Sequence, residues 1–67
     1  MVDVARVDFL RKNGETVVTE CYLVRDVQEA RRKALLRYNA VIKRRYGDLI
    51  GAYIYAYGEK NFLYFGR

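Results

Sequence analysis

Over residues 4–11 apolar and polar side chains alternate: Ala5, Val7 and Phe9 fall on one side, Arg6 and Asp8 on the other. A period of two predicts a strand. Asn13-Gly14 follows, and residues 17–24 read as a second strand. Asn-Gly between two such runs is a strong hairpin signal. A two-residue loop would set Val7 opposite Glu20. A three-residue loop, Lys12-Asn13-Gly14 with a left-handed Gly14, pairs Phe9 with Val17, Val7 with Thr19, Ala5 with Cys21 and Arg6 with Glu20. The second register is preferred. It gathers apolar residues on one face and opposes charges of unlike sign.

The period then changes. Asp26 is suited to cap a helix N-terminus, and Glu29 three residues on completes a capping box. Val27, Ala30, Ala34, Tyr38, Val41 and Ile42 form one stripe at helical spacing, flanked by Leu35 and Tyr46. The helix is expected to run to about Tyr46, with Gly47 just beyond its end. Small Ala30 and Ala34 let it lie close on a sheet.

Alternation returns over residues 49–57. Ile50, Ala52, Ile54 and Ala56 share one face, and Tyr53, Tyr55 and Tyr57 the other. Gly58-Glu59-Lys60-Asn61 reads as a four-residue turn, and residues 62–65 as a last strand. That loop sets Ala56 opposite Leu63, Ile54 opposite Phe65, Tyr57 opposite Phe62 and Tyr55 opposite Tyr64. The expected fold is α+β, in the order ββαββ. Two antiparallel hairpins form a four-stranded sheet, and one amphipathic helix covers one of its faces.

The chain has 67 residues, so a single domain over residues 1–67 is expected. An apolar fraction of 52% supports a core rather than disorder. There is no repeat, linker or low-complexity segment. Histidine, serine, proline and tryptophan are absent, and Cys21 is the single cysteine. A Ser-His-Asp or Cys-His site cannot be built within one such chain, nor can a Cys/His zinc site. The acids Asp3, Asp8, Glu15, Glu20, Asp26, Glu29, Asp48 and Glu59 show no metal-cluster spacing. No enzymatic activity, cofactor, metal or small-molecule substrate is expected. Cys21 reads as a small core residue, in keeping with a reducing cytosol. No targeting or membrane-spanning segment is seen, and a soluble intracellular protein is expected. The scarcity of Gln, Asn, Cys and Met points to a hot-living source.

Two features carry the functional expectation. The net charge is +5. Between residues 31 and 45 lie Arg31, Arg32, Lys33, Arg37, Lys43, Arg44 and Arg45, with no acid among them. A solvated helix usually mixes signs, so a face of one sign points to a polyanion such as phosphate. The second feature is the sheet face away from the helix, with Tyr53, Tyr55, Tyr57, Phe62 and Tyr64, joined by Tyr22. Such rings stack unpaired bases, or bury themselves against a second copy of the chain. The expected function is nucleic-acid binding, RNA ahead of DNA, as in an accessory component of a ribonucleoprotein or ribosome. The alternative is a structural homo-oligomer, a homodimer first, or a protein-interaction module, using the Tyr-rich sheet face and without a nucleic-acid role.

Overall fold

The alternating segments pair as strands and the run between them coils, in a computed structural model that describes residues 1–66. The strands are β1 (Asp3–Arg11), β2 (Thr16–Val24), β3 (Leu49–Ala56) and β4 (Glu59–Tyr64). All neighbours are antiparallel, in the order β2-β1-β3-β4, so the two hairpins join through their first strands. The helix links edge strand β2 to central strand β3 and passes beneath β1. This is the α+β, ββαββ arrangement that the periodicity predicts.

The core lies between sheet and helix. Ala5, Val7, Phe9, Val24, Ala52, Ile54 and Ala56 from the sheet meet Ala30, Ala34 and Ile42 from the helix. Alanines on both sides hold the layers close. Phe65, just past β4, donates its N–H to the Ile50 carbonyl at 2.9 Å and turns its ring inward. That ring stacks on Tyr38, with centroids 3.8 Å apart, and lies 5.9 Å from Phe9. Phe65 therefore closes one end of the core and is not the cross-strand partner of Ile54 that a longer loop would make it.

Asp26 caps the helix as expected, accepting the Glu29 N–H at 2.7 Å, while Glu29 accepts the Arg25 N–H at 2.6 Å. The helical run is not uniform. α1 (Val27–Arg37) passes into a π-helical turn, Tyr38–Ile42, and ends in a short α2, Lys43–Arg45. The cause is visible in the spacing. Ala30, Ala34, Tyr38, Ile42 and Tyr46, all buried or half-buried, recur every four residues. An α-helix would rotate such a row by about 40° per step. The wider i→i+5 turn absorbs that drift and keeps Ile42 on the core. At the end, Tyr46 is extended (φ −131°) and Gly47 keeps a negative φ, so the expected left-handed glycine cap is not formed.

Both hairpin registers differ from expectation. The first turn is the anticipated three-residue loop, with Gly14 at φ 92° and the Gly14 N–H on the Arg11 carbonyl. Leu10 pairs with Thr16, but Phe9 pairs with Val18, so Val17 is an extra residue in β2. The bulge offsets the rest of the strand by one, setting Val7 opposite Glu20 and Ala5 opposite Tyr22. Val17 and Val18 both pack on the core, and Val24 is fully buried. The offset turns Tyr22 and Val24 inward where an even ladder would turn Cys21 and Leu23, and it brings Glu20 to the Arg37 of the helix. Cys21 is consequently exposed rather than a core residue.

The second hairpin turns two residues after Ala56, not four. Tyr57 (φ 55°) and Gly58 (φ 73°) are both left-handed, and Ala56 pairs with Glu59. That is the two-residue turn whose twist suits a hairpin. A tyrosine resists positive φ, and here its surroundings hold it. The Tyr57 N–H donates to Asp3 Oδ2 at 2.8 Å, and its hydroxyl lies 2.9 Å from the carbonyls of Met1 and Val24. The shift of four residues is even, so the strand faces keep their parity.

Candidate functional site

The sheet face away from the helix carries the strongest cluster of unusual chemistry. Tyr53 pairs with Phe62, Tyr55 with Lys60 and Gly51 with Tyr64, so four of the expected rings share this face. Tyr53 and Tyr55 are half-buried, while Phe62 and Tyr64 are 41% and 65% exposed. Tyr53 meets Phe62 edge-on at 5.2 Å and Tyr55 at 6.4 Å. Gly51 matters to this arrangement. It leaves room for the Phe62 ring to lie on its backbone, where a side chain would overlap both the ring and the Leu63 carbonyl.

Two cations interleave with the rings. The Arg6 guanidinium sits 4.2 Å from the Tyr55 centroid, and the Lys60 ammonium 4.3 Å from that of Tyr53. Neither is among the cations expected from the sequence, which concentrates its charge on the helix. The signal was present: Arg6 and Lys60 sit on strands at the parity of the tyrosines. Arg6 also reaches Asp8 at 3.4 Å, and not the Glu20 expected as its partner.

Two expected members are elsewhere. Tyr57 belongs to the turn, tied to Asp3, Met1 and Val24. Tyr22 is moved by the β2 bulge to the helix side, where its hydroxyl donates to Glu20 at 2.8 Å. Burial, and then that bond, push its phenol above the ordinary tyrosine range.

The seven helix cations divide into two groups. Arg37 grips Glu20 with two bonds, at 2.9 and 2.8 Å. Those bonds, with help from the Tyr22 hydroxyl, hold the Glu20 carboxyl below its usual range against the opposing effect of burial. Lys33 donates to the Leu23 carbonyl at 2.8 Å and Arg31 to that of Phe62 at 3.4 Å, so each fastens the helix to an edge strand. The like-charge neighbours Lys33 and Arg37 thus have separate acceptors. Among the described residues, Arg32, Lys43, Arg44 and Arg45 have no acid within salt-bridge distance. They are exposed, as are nearby Leu35 and Leu36.

At one end of the open face the β1–β3 ladder stops at Arg6 and Tyr55. Beyond it a cavity of about 370 Å³ opens between the first residues of β1 and the Tyr57-Gly58 turn. Tyr55, Glu59 and Lys60 are among its walls. Among the described residues no group of three His, Cys, Asp or Glu side chains could hold a metal, and no helix is long and apolar enough to cross a membrane. Set beside known proteins, the chain matches no family model, no curated protein and no solved structure.

Proposed function

We propose that this chain is a non-enzymatic module that binds single-stranded nucleic acid, RNA ahead of DNA, across its open sheet face. One observation carries the reading: Tyr53, Tyr55, Phe62 and Tyr64 share an uncovered face with Arg6 and Lys60 lying against the rings. Bases that are not in a duplex stack on aromatic side chains whatever their sequence, and cations beside the rings hold the phosphates. A duplex offers no free base faces to such a surface. The helix is less suited to a groove, since Arg31, Lys33 and Arg37 are already bonded within the fold. The remaining helix cations raise the positive field that draws a polyanion in. Titration of labelled single-stranded and duplex oligonucleotides at several salt concentrations tests the reading. Equal affinity for the two forms, or none for either, would overturn it.

A second reading rests on a different part of the same face. Val4 and Leu23 pair across β1 and β2 and are 55% and 64% exposed. Such a patch is covered by a second copy of the chain in a homodimer that has no nucleic-acid role. Sizing of Leu23→Glu beside the parent chain separates the two. A dimer that becomes monomeric supports this reading, and a parent chain that is already monomeric excludes it.

A further inference from the structure

We infer that the β4 edge pairs with the β4 edge of a second copy of this chain, so that two sheets join as one with their aromatic faces side by side. The pairing stands on the geometry of the edge; its use to a polyanion rests on the binding reading above.

The main chain of β4 decides which groups are free. The tight turn closes on the Ala56–Glu59 pair, and at the other end the Phe65 N–H reaches the Ile50 carbonyl. Bonded and non-bonded pairs alternate along an antiparallel ladder. Ala56–Glu59, Ile54–Asn61 and Ala52–Leu63 are therefore the bonded pairs. Lys60, Phe62 and Tyr64 belong to the others, and turn their N–H and C=O groups away from β3. No strand lies on that side, because β4 ends the sheet.

The two edges of the sheet are not alike. On β2 a bulge breaks the ladder, and Lys33 bonds the Leu23 carbonyl at 2.8 Å. Bulges and lysines commonly guard an edge. β4 holds one register from Glu59 to Tyr64 without a bulge. Among the described residues, the side-chain bond to its outer groups is that of Arg31, a long one at 3.4 Å on the Phe62 carbonyl. A carbonyl oxygen has a second lone pair for a strand N–H.

A row of free donors and acceptors takes another strand, and the side chains point to a copy of the same one. Set antiparallel about Phe62, every outward residue of β4 meets an outward residue. Phe62 faces Phe62, and Lys60 faces Tyr64 of the second copy. Residues opposed in this way share a face, so the open faces stay on the same side. The Lys60 ammonium already lies over rings of its own sheet, and Tyr64, 65% exposed, offers it another. On the helix side Asn61 meets Leu63. No like charges oppose each other. The pairing is two-fold and closed, since neither β4 edge is left for a third copy. Phe62 and Tyr64 then stand in the middle of a doubled sheet instead of at its rim, and one single strand can cross both copies.

The test is hydrogen exchange of the intact chain, read amide by amide at rising protein concentration, with sedimentation for the mass. The amides of Lys60, Phe62 and Tyr64 are expected to exchange fast in dilute solution and about tenfold slower where the mass doubles, while that of Leu63 stays slow throughout. Each chain carries +5, so added salt should favour the dimer, the reverse of its effect on nucleic-acid binding. Tyr64→Pro spares the ladder to β3 and removes an outward N–H. It should weaken the dimer about tenfold relative to Tyr64→Ala, which keeps that N–H. If the proline variant does not fold, the exchange pattern of the parent chain decides. A chain monomeric at every concentration, a dimer whose outward amides still exchange fast, or equal dimers from the two Tyr64 variants overturns the edge pairing and leaves the stacking face standing. Failure of oligonucleotides to bind a dimer with protected outward amides overturns the stacking face and leaves the edge pairing standing.

Discussion

Arg37 lays its guanidinium on Glu20 with Nε and one terminal nitrogen each bonded to a carboxylate oxygen, tying the helix to edge strand β2. The strand bulge makes this possible by turning Glu20 toward the helix, and Tyr22 completes the cluster with its hydroxyl. Arg37, one of the seven cations expected to hold phosphate, is therefore a structural clamp.

The clamp has an acid limb. Glu20 keeps its charge in the fold at a pH where the unfolded chain, with a carboxyl near 4.5, has begun to take up protons. The stability it contributes is complete above that pH and is lost as pH falls through the depressed folded value. Tyr22 acts at the other end. Its raised pKa leaves stability complete below pH 10 and erodes it as pH rises further. Glu20→Gln should lower the melting temperature at neutral pH by about 4 °C. It should also flatten the loss of stability between neutral pH and about pH 2. Melting curves across that range give the comparison, and an unchanged acid limb would show that Glu20 does not govern it.

Gly51→Ala should destabilise the fold by about 2 kcal/mol. The added methyl overlaps the Leu63 backbone as well as the Phe62 ring, and backbone cannot swing aside. Urea unfolding supplies the measurement. A midpoint equal to the parent's would mean that β4 shifts freely over β3.

Cys21 should react with a thiol reagent in the native state as fast as a free thiol does, because it lies exposed on the open face. A bound oligonucleotide should slow that reaction if it reaches β2. Reaction only upon unfolding would place the thiol inside and the β2 register one residue off.

Binding should separate the two surfaces. Tyr55→Ala is expected to cost ~1–3 kcal/mol of single-strand affinity. Arg6→Ala with Lys60→Ala should reduce the salt dependence by about 0.7 for each phosphate no longer neutralised. Arg32→Glu with Arg44→Glu and Arg45→Glu should slow association and leave that slope nearly intact. The opposite result, with the helix triple abolishing binding and the sheet variants keeping it, would move the interface to the helix. Lys33 and Arg37 are poor probes, since changing either also loosens the helix from β2.

Element order and the helix cap were legible because each rests on local chemistry: two-residue alternation, the Asn13-Gly14 turn, Asp26 with Glu29. The four rings at Tyr53, Tyr55, Phe62 and Tyr64 were legible because parity survives an even shift. What failed was non-local. Val17 becomes a bulge where Tyr22 and Val24 pack toward the helix and Glu20 meets Arg37, an arrangement that needs the helix in place. Tyr57 takes a left-handed turn because Asp3 and two distant carbonyls hold it there. The helix cations divide because edge-strand carbonyls and Glu20 lie within reach, which no spacing along the helix reveals. The π-turn could have been read, since a repeat of four is written into residues 30–46.

The Val17 bulge gives strand length an unusual meaning in this molecule. Loss of the codon for Val17 would remove the extra residue and leave Leu10 opposite Thr16 and Phe9 opposite Val18, so every later side chain of β2 would keep its present face and Arg37 its Glu20. Loss of a residue beyond Val18, with the bulge kept, would instead turn over all that follows it. Tolerance to a one-residue deletion should therefore be highest at the bulge itself and lower along the rest of this edge strand.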